Sequence, residues 1–336
     1  MEENMSLGFR KSMAAMFGLV LVLALALSAC GDEEKPTIIF SDLNWDSAQT
    51  QTAIAELIVS EGYGYPTEKI FGGTIPLMQA LVNGDTNVTM EIWLPNQLAA
   101  YNEASEAGQI TRVGNSLEDN WQSAFIIPQY TADANPGLQK VADIRDHMDL
   151  FVTPISNGKA QLLNCVPGWE CEGHNIDQVK AHGLDDVIEI INPGSGEALA
   201  AEILAAFEKK EDVLFYYWGP TTLTHRIQTE LGGLKVLEEP PYSEECWNTT
   251  KLCGYSISEV VIVVRNELLE SAPDLVEMFE KWDFNAGNQL AAEAYMGESG
   301  ADFPEVAKWF ILNTEEWKSW VTADAAKKVI EAASAE

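Results

Sequence analysis

Residues 37–47, Thr-Ile-Ile-Phe-Ser-Asp-Leu-Asn-Trp-Asp-Ser, begin an alternation of strand and helix that indicates the fold class. The apolar run at their start predicts a short buried strand. Asp46 or Ser47 then caps a predicted helix that runs to about Glu61, with apolar positions three and four residues apart. A polar loop between a strand end and a helix start is a common ligand site in open α/β sheets. Trp45, in this loop, is therefore a candidate binding residue.

The same alternation of strand and helix continues along the chain. Residues 75–82 predict a second helix, and residues 88–94 predict a second strand that ends at Pro95. Further strands are predicted at 123–128, 187–191, 213–218 and 259–265, helices at 140–147 and 197–210, and a helix-rich tail at 273–333. This alternation predicts a doubly wound α/β architecture with parallel strands.

The N-terminal residues 1–29 have the features of a signal peptide. Two basic residues precede an apolar run at 14–29, which is too short for a comfortable membrane span and ends in small residues directly before Cys30. The pattern resembles a bacterial lipoprotein signal, which implies lipid attachment to Cys30 and a polar tether over 30–36. A plain secretory signal with an incidental cysteine is the alternative. We expect the protein at the extracytoplasmic face of a bacterial membrane, in the periplasm or at the cell surface.

The cysteine count fits an oxidising compartment. Of the five cysteines, Cys30 is assigned to the lipid, and the others form two local pairs, Cys165 with Cys171 and Cys246 with Cys253. A metal site is the competing interpretation. The cysteine spacings lack the Cys-x-x-Cys form, and none of the four histidines stands at a ligand spacing. We therefore expect two disulfides, no metal and no cofactor.

The charge balance excludes some partners. The chain has 20 Lys and Arg against 52 Asp and Glu, a formal net charge of −32. Such a chain repels nucleic acid and anionic lipid surfaces, so we expect no nucleic-acid partner and membrane contact only through the lipid anchor. Removal of the 29-residue signal from 336 residues leaves 307, and 46% of the chain is apolar, which favours two lobes over one.

Three tryptophans stand at comparable places. Residues 165–171, Cys-Val-Pro-Gly-Trp-Glu-Cys, predict a turn clamped by a disulfide with Trp169 at its tip. Trp93 and Trp218 lie at predicted strand ends, each two residues before a proline. A trimethylammonium group has no N–H to donate, but rigid indole faces attract it by about 1–2 kcal/mol each when desolvated. A structural disulfide with a tryptophan packed in the core is the alternative.

These residues give the chain a family resemblance. It resembles the substrate-binding proteins of glycine betaine/proline ABC transporters over roughly residues 36–320. Residues 164–173 and 215–220 carry the resemblance, and the Trp-Leu-Pro at 93–95 supports it. The resemblance implies a two-lobe periplasmic-binding-protein fold of type II, each lobe a sheet flanked by helices, that closes on its ligand like a hinge. It also implies that the three tryptophans form a box around a methylammonium group.

The resemblance also implies how the polar end of a ligand is held. Backbone N–H groups of Glu170 and Cys171 would bind a carboxylate, assisted by the side chain at Gln97. A familiar member has histidine at the position of Gln97 and glycine at that of Glu170. Glutamine still donates, whereas a carboxylate beside a bound carboxylate costs energy unless it points away. Glycine betaine is the expected ligand; if Glu170 points inward, choline or protonated trimethylamine N-oxide fits better, and carnitine is a further alternative. Trp45 is a candidate fourth wall, with packing under its loop as the alternative.

The expected organisation divides the site between two lobes. Lobe one is expected over 36–125 and 258–336, and lobe two over 126–257, which separates Trp93 from the other two tryptophans. Closure would complete the box and couple ligand binding to lobe motion.

No nucleophile elbow, His-Glu-x-x-His or phosphate-binding glycine loop is present, which disfavours a secreted enzyme, and a sensor lobe is a further alternative. We expect the protein to deliver a quaternary ammonium osmolyte to the permease and ATPase of an ABC importer.

Overall fold

A single mixed β-sheet organises residues 35–335, the part of the chain that the computed structural model describes, with the side chains of 118–121 left out. The expected signal peptide, Cys30 and the tether up to residue 34 lie outside the described residues. The strands are β1 Ile38–Leu43, β2 Thr67–Gly72, β3 Val88–Leu94, β4 Ile110–Pro128, β5 Ala160–Leu163, β6 Ile188–Ile191, β7 Leu214–Gly219, β8 Leu234–Val236 and β9 Ile257–Arg265. Their order is β2-β1-β3-β9-β4-β7-β5-β6, and β8 pairs with β4.

Parallel pairing is confined to the two outer parts of this sheet. β1 is parallel to β2 and β3, and β5 is parallel to β6 and β7. In the middle, β9 and β4 run antiparallel to their neighbours. The prediction of parallel strands throughout was therefore wrong for the middle of the sheet. The reason is β4, whose first part pairs with β9 and whose last part pairs with β7 and β8, so that one long strand joins the two outer parts.

Helices fill the connections between the strands. They are α1 Asp46–Leu57, α2 Thr74–Asn83, α3 Leu98–Glu106, α4 Gln129–Ala134, α5 Glu170–Ala181, α6 Gly196–Lys209, α7 Thr222–Glu230, α8 Glu244–Asn248, α9 Leu268–Ser271, α10 Pro273–Glu280, α11 Ala286–Ser299, α12 Phe303–Asn313 and α13 Ala323–Ala333. A π-helical turn, Ile58–Gly62, extends α1, and two 3₁₀ segments cover Val141–Phe151 and Glu316–Ser319. Among the described residues, no helix has the length and apolar character needed to cross a bilayer.

The C-terminal helices pack on the N-terminal part of the chain. α12 lies against α1, and α13 lies against the π-helical turn that follows α1. Trp317 and Trp320 of this tail are fully buried. The contacts join everything from Pro36 onward into one compact unit. The expected lobe boundaries therefore stay a prediction.

Candidate functional site

Four tryptophans line one cavity, which we call the aromatic cavity. Its lining consists of Trp45, Thr74, Trp93, Asn96, Gln97, Ser123, Trp169, Glu170, Cys171, Tyr216 and Trp218. All seven ligand-binding residues expected from the sequence are in this set, although they are spread over more than 170 positions of the chain. The structure thus brings them together, while their role in binding stays a prediction.

Strand ends and helix starts supply these side chains. Trp45 follows β1 and is the N-cap residue of α1, and Trp169 is the N-cap residue of α5. Trp93 and Trp218 lie near the ends of β3 and β7, and each stands two residues before a proline whose preceding peptide bond is cis. Gln97 is the N-cap residue of α3. The cavity therefore lies where strands open into helices, the position expected for a ligand site in an α/β sheet.

The ring of Trp169 stands between two other indoles. Its centroid lies 5.5 Å from that of Trp45 at an interplanar angle of 79°, and 5.4 Å from that of Trp218 at 77°. Its Nε1–H donates to Oδ1 of Asn44 over 2.6 Å. A Cβ atom added at Gly196 would lie 3.4 Å from Cη2 of the ring, so the start of α6 also contacts this indole. Residues from separate segments therefore fix Trp169 nearly perpendicular to both neighbours.

A buried carboxylate holds two of the indoles. The Nε1–H groups of Trp45 and Trp93 both donate to Oε2 of Glu91, each over 2.8 Å. Nε2 of Gln51 donates to the other oxygen, Oε1, over 2.9 Å. Glu91 is only 1% exposed. Burial raises the pKa of Glu91, whereas the hydrogen bonds from the two indoles act in the opposite direction.

This role of Glu91 is not evident from the sequence. The two-residue period of a strand places Glu91 on the same face as Trp93, which is a signal for one of the two contacts. Trp45 lies 46 positions earlier in the chain. No spacing rule connects residues so far apart, so the second contact depends on the pairing of β1 with β3.

The loop predicted at 165–171 is partly helical. Cys165 and Cys171 form the expected disulfide, but Cys171 already belongs to the first turn of α5, which begins at Glu170. The second expected disulfide, between Cys246 and Cys253, is also present. Both predicted pairings are confirmed. Because the first N–H groups of an α-helix have no intrahelical partner, the start of α5 offers backbone donors to the aromatic cavity.

Glu170 stands where the aromatic cavity meets a second opening. The second opening is a groove between α2 and α3, and Glu170 lines it together with Thr74 and Gln97, which also line the aromatic cavity. The side chain is half-buried. Burial raises the pKa of Glu170, and the positive charge of Lys251 lowers it. The carboxyl group thus borders the site, in the position that the sequence could not determine.

Polar residues that the sequence did not single out complete the lining. Tyr216 lies in β7, and its hydroxyl donates to Oγ of Ser123 on β4 over 3.0 Å. Burial raises the pKa of Tyr216 to about 12, so the phenol stays neutral at physiological pH. Within residues 35–335, no group of three or more His, Cys, Asp or Glu side chains has an arrangement that could hold a metal ion.

The family is shown by a direct match. The family model for the substrate binding domain of ABC-type glycine betaine transport systems matches residues 36–313. The chain belongs to this family. A trimethylamine N-oxide-binding protein of Pelagibacter ubique (strain HTCC1062) is 25% identical over 329 residues, 92% of this chain and 98% of the relative. A glycine betaine/proline betaine-binding periplasmic protein of Escherichia coli (strain K12) is 26% identical over 265 residues, 74% of this chain and 78% of the relative.

A solved structure agrees with the fold. The crystal structure of a glycine/betaine/L-proline-binding protein from Borrelia burgdorferi has a TM-score of 0.70 with 18% identity and covers 87% of this chain and 99% of its own. The expected two-lobe periplasmic-binding-protein fold is confirmed. Proteins of this family are extracytoplasmic components of ABC importers, bind small quaternary ammonium ligands and work with a permease and an ATPase.

Proposed function

We propose that this protein captures a small molecule with a methylated ammonium-type head group and delivers it to the permease of an ABC importer. The observation that carries the proposal is the set of four indoles around the aromatic cavity. A fully methylated nitrogen cannot donate an N–H hydrogen bond, so ring faces are the groups that attract it. In this role the protein acts as a binding component and not as an enzyme.

The polar residues of the aromatic cavity bind the part of the ligand beyond its methylated head group. The first-turn N–H groups of α5 and the positive end of its dipole favour an anionic or electron-rich oxygen. Gln97, 6% exposed, adds an amide that donates or accepts. Glycine betaine, with a carboxylate at this end, fits these donors and is our first candidate.

Glu170 supports a second candidate, trimethylamine N-oxide. As a carboxylate it repels the carboxylate of a betaine, whereas its protonated form donates to an N-oxide oxygen. Burial raises the pKa of Glu170, which favours the protonated form. The Pelagibacter ubique relative, aligned over 98% of its length, is named for binding this N-oxide. Choline and carnitine are the remaining ligands to be compared.

A titration of the purified chain without its signal peptide tests the proposal. We expect saturable binding of at least one of glycine betaine, proline betaine, choline, carnitine and trimethylamine N-oxide, with a change in tryptophan fluorescence. Ammonium ion and leucine serve as controls and should not bind, since neither has a methylated nitrogen. Absence of binding to all five compounds would overturn the proposed function.

We also propose that Cys30 carries the lipid that holds the protein at the membrane. The proposal rests on the sequence before Cys30. When the full chain is expressed in a bacterium, it should fractionate with the membrane. A Cys30→Ser variant should appear in the soluble extracytoplasmic fraction. An unchanged membrane association of that variant would argue against the lipid.

A further inference from the structure

The carboxylate of Glu91 accepts hydrogen bonds from three neutral N–H donors. Two are the indoles of Trp45 and Trp93, and the third is the amide of Gln51. Gln51 is itself fixed, because its Oε1 accepts the Nε1–H of Trp282 over 2.8 Å and its Nε2 also donates to Oγ of Ser116. Each donor in this network therefore has an acceptor, and the directions of the hydrogen bonds are determined.

These hydrogen bonds favour an ionised carboxylate, against the effect of burial. A protonated Glu91 would carry an O–H that needs an acceptor, but both of its oxygens already accept from N–H donors. The hydroxyl of Ser47 also acts as a hydrogen-bond donor that lowers the pKa of Glu91. The one amide oxygen nearby, Oε1 of Gln51, already accepts from Trp282. Hydrogen bonds from several donors stabilise a charged carboxylate in spite of burial.

Among the described residues, no cation lies beside the carboxylate of Glu91. In the described part of the chain, the ion pairs involve other residues. Burial raises the pKa of Glu91, and the influences that lower it are hydrogen bonds. A buried charge without a counter-charge is unfavourable. The two indoles that bind Glu91 also line the aromatic cavity, so this charge lies directly behind the walls of the site.

We propose that the bound cation is the counter-charge of Glu91. Through the two indoles that donate to its carboxylate, Glu91 selects positively charged head groups. This inference rests on the proposed function. Donation of an indole N–H to an anion polarises the ring and makes its face more negative, which strengthens cation–π attraction. The charge also attracts the cation directly, because screening by water is weak in a buried site. Glu91 is in this sense a positioning residue that also sets charge selectivity.

A pair of matched probes separates charge from shape. Choline and 3,3-dimethyl-1-butanol have the same outline, but the second has carbon in place of the charged nitrogen. Glu91→Gln should lower choline affinity by about tenfold or more. It should change the affinity of the uncharged probe by about threefold at most, and so reduce the preference for the cation. If Glu91 only orients the rings, both affinities fall by the same factor, and that result would overturn the inference.

A double variant keeps the test independent of folding. In Glu91→Gln with Gln51→Glu, the new amide at 91 accepts both indoles through its oxygen and donates to the new carboxylate at 51. That carboxylate also accepts from Trp282 and Ser116, so every hydrogen bond has a partner while the charge moves away from the indoles. The preference for choline over the uncharged probe should fall between those of the parent and Glu91→Gln. An unchanged preference in the double variant contradicts the inference even where the single variant does not fold.

One control variant and the parent chain make the failures distinguishable. Glu239→Gln removes another buried carboxylate, which pairs with His182 over 3.1 Å and is not among the residues that line the aromatic cavity, and should leave the preference unchanged. A parent chain that binds none of the five methylated compounds overturns the proposed function. A parent chain that binds a cation but loses no preference on Glu91→Gln overturns only the inference about Glu91.

Discussion

The residues that line the aromatic cavity fall into two groups that are held differently. Trp45 and Trp93 are 7% and 8% exposed, and their N–H groups donate to a carboxylate that is itself fixed by a further hydrogen bond from Gln51. At the start of α5, Glu170 is half-buried, and within the described residues its carboxylate is influenced by burial and by Lys251 but by no hydrogen bond. The two rings are locked in place by hydrogen bonds, whereas the carboxylate of Glu170 accepts no hydrogen bond from the described residues.

This difference suggests a division of labour. Locked rings are preorganised for one kind of head group, because they lose little freedom when it binds. A half-buried carboxyl group can change its protonation or orientation, and in the proposed binding mode it borders the polar end of the ligand. We therefore expect changes in the rings to weaken every ligand, and changes at Glu170 to reorder the ligands.

The largest effect is expected for Trp169→Ala. The ring of Trp169 lies 5.5 Å from Trp45 and 5.4 Å from Trp218, so its loss opens the cavity between them. Central aromatic residues of a binding site contribute about 2 kcal/mol or more, which corresponds to at least about a 30-fold loss of affinity. Calorimetric titration should show this loss for every ligand that the parent binds.

A matched tryptophan provides the control for Trp169→Ala. Trp309, on α12, stacks on Tyr295 at a centroid distance of 4.7 Å and does not line the aromatic cavity. Trp309→Ala should leave affinity unchanged, even if it lowers thermal stability. Equal binding by Trp169→Ala and the parent would show that this ring is not a wall of the site.

A smaller loss is expected when the support of the Trp169 loop is displaced. A Cβ atom at Gly73 would lie 2.9 Å from the carbonyl oxygen of Gly168, which also accepts the N–H of Ile75 over 3.2 Å. Gly73→Ala should therefore shift the residue before Trp169 and lower affinity by about tenfold. Gly173→Ala on α5 is the control, because a Cβ atom there meets nothing within 4 Å. Similar affinities for the two variants would contradict this prediction.

The locked group was also the more predictable one. The strand at 88–94 is predicted with its observed bounds, and Trp45 is correctly placed between β1 and α1. Continuous apolar runs and a clear helical period carried these predictions. The hydrogen bonds that lock the rings could not be predicted, because they join residues 46 positions apart and depend on which strands pair.

Some elements could not be predicted from the sequence, because contacts and pairing in the folded chain determine them. β2 is a mostly exposed edge strand with Thr, Glu and Lys, so it lacks an apolar pattern. The first part of β4 contains register shifts and Gly114, where an added Cβ atom would clash with the backbone of Phe279. The start of α5 was predicted as a loop because Pro167 and Gly168 precede it, and only the structure shows that the helix begins two residues later.

Replacement of Glu170 should reorder the ligands by about tenfold in relative affinity, roughly the effect of one charged interaction in a partly buried site. Glu170→Gly removes a carboxylate near the donors of α5, so glycine betaine should bind more tightly. Trimethylamine N-oxide and choline should bind more weakly, because they lose a hydrogen-bonding partner. Competition titrations of the three ligands against parent and variant measure the order. An unchanged order would mean that the side chain faces solvent.

The smallest effect, a few-fold change in affinity, is expected from pH. Burial raises the pKa of Glu170 above the usual 4.5. As the pH falls from neutral, the carboxylate therefore takes up a proton at a higher pH than an exposed glutamate does. Affinity for glycine betaine should then rise, since repulsion between two carboxylates disappears and the protonated group donates. Affinity for choline should fall over the same range, because a carboxylate accepts its hydroxyl proton better than a neutral acid does. Glu170→Gln, which keeps the volume and does not titrate, should flatten both curves. Two outcomes would assign the titration to another group: parallel slopes for the two ligands in the parent, or opposite slopes that persist in Glu170→Gln. Either outcome would contradict the view that Glu170 is the adjustable part of the site.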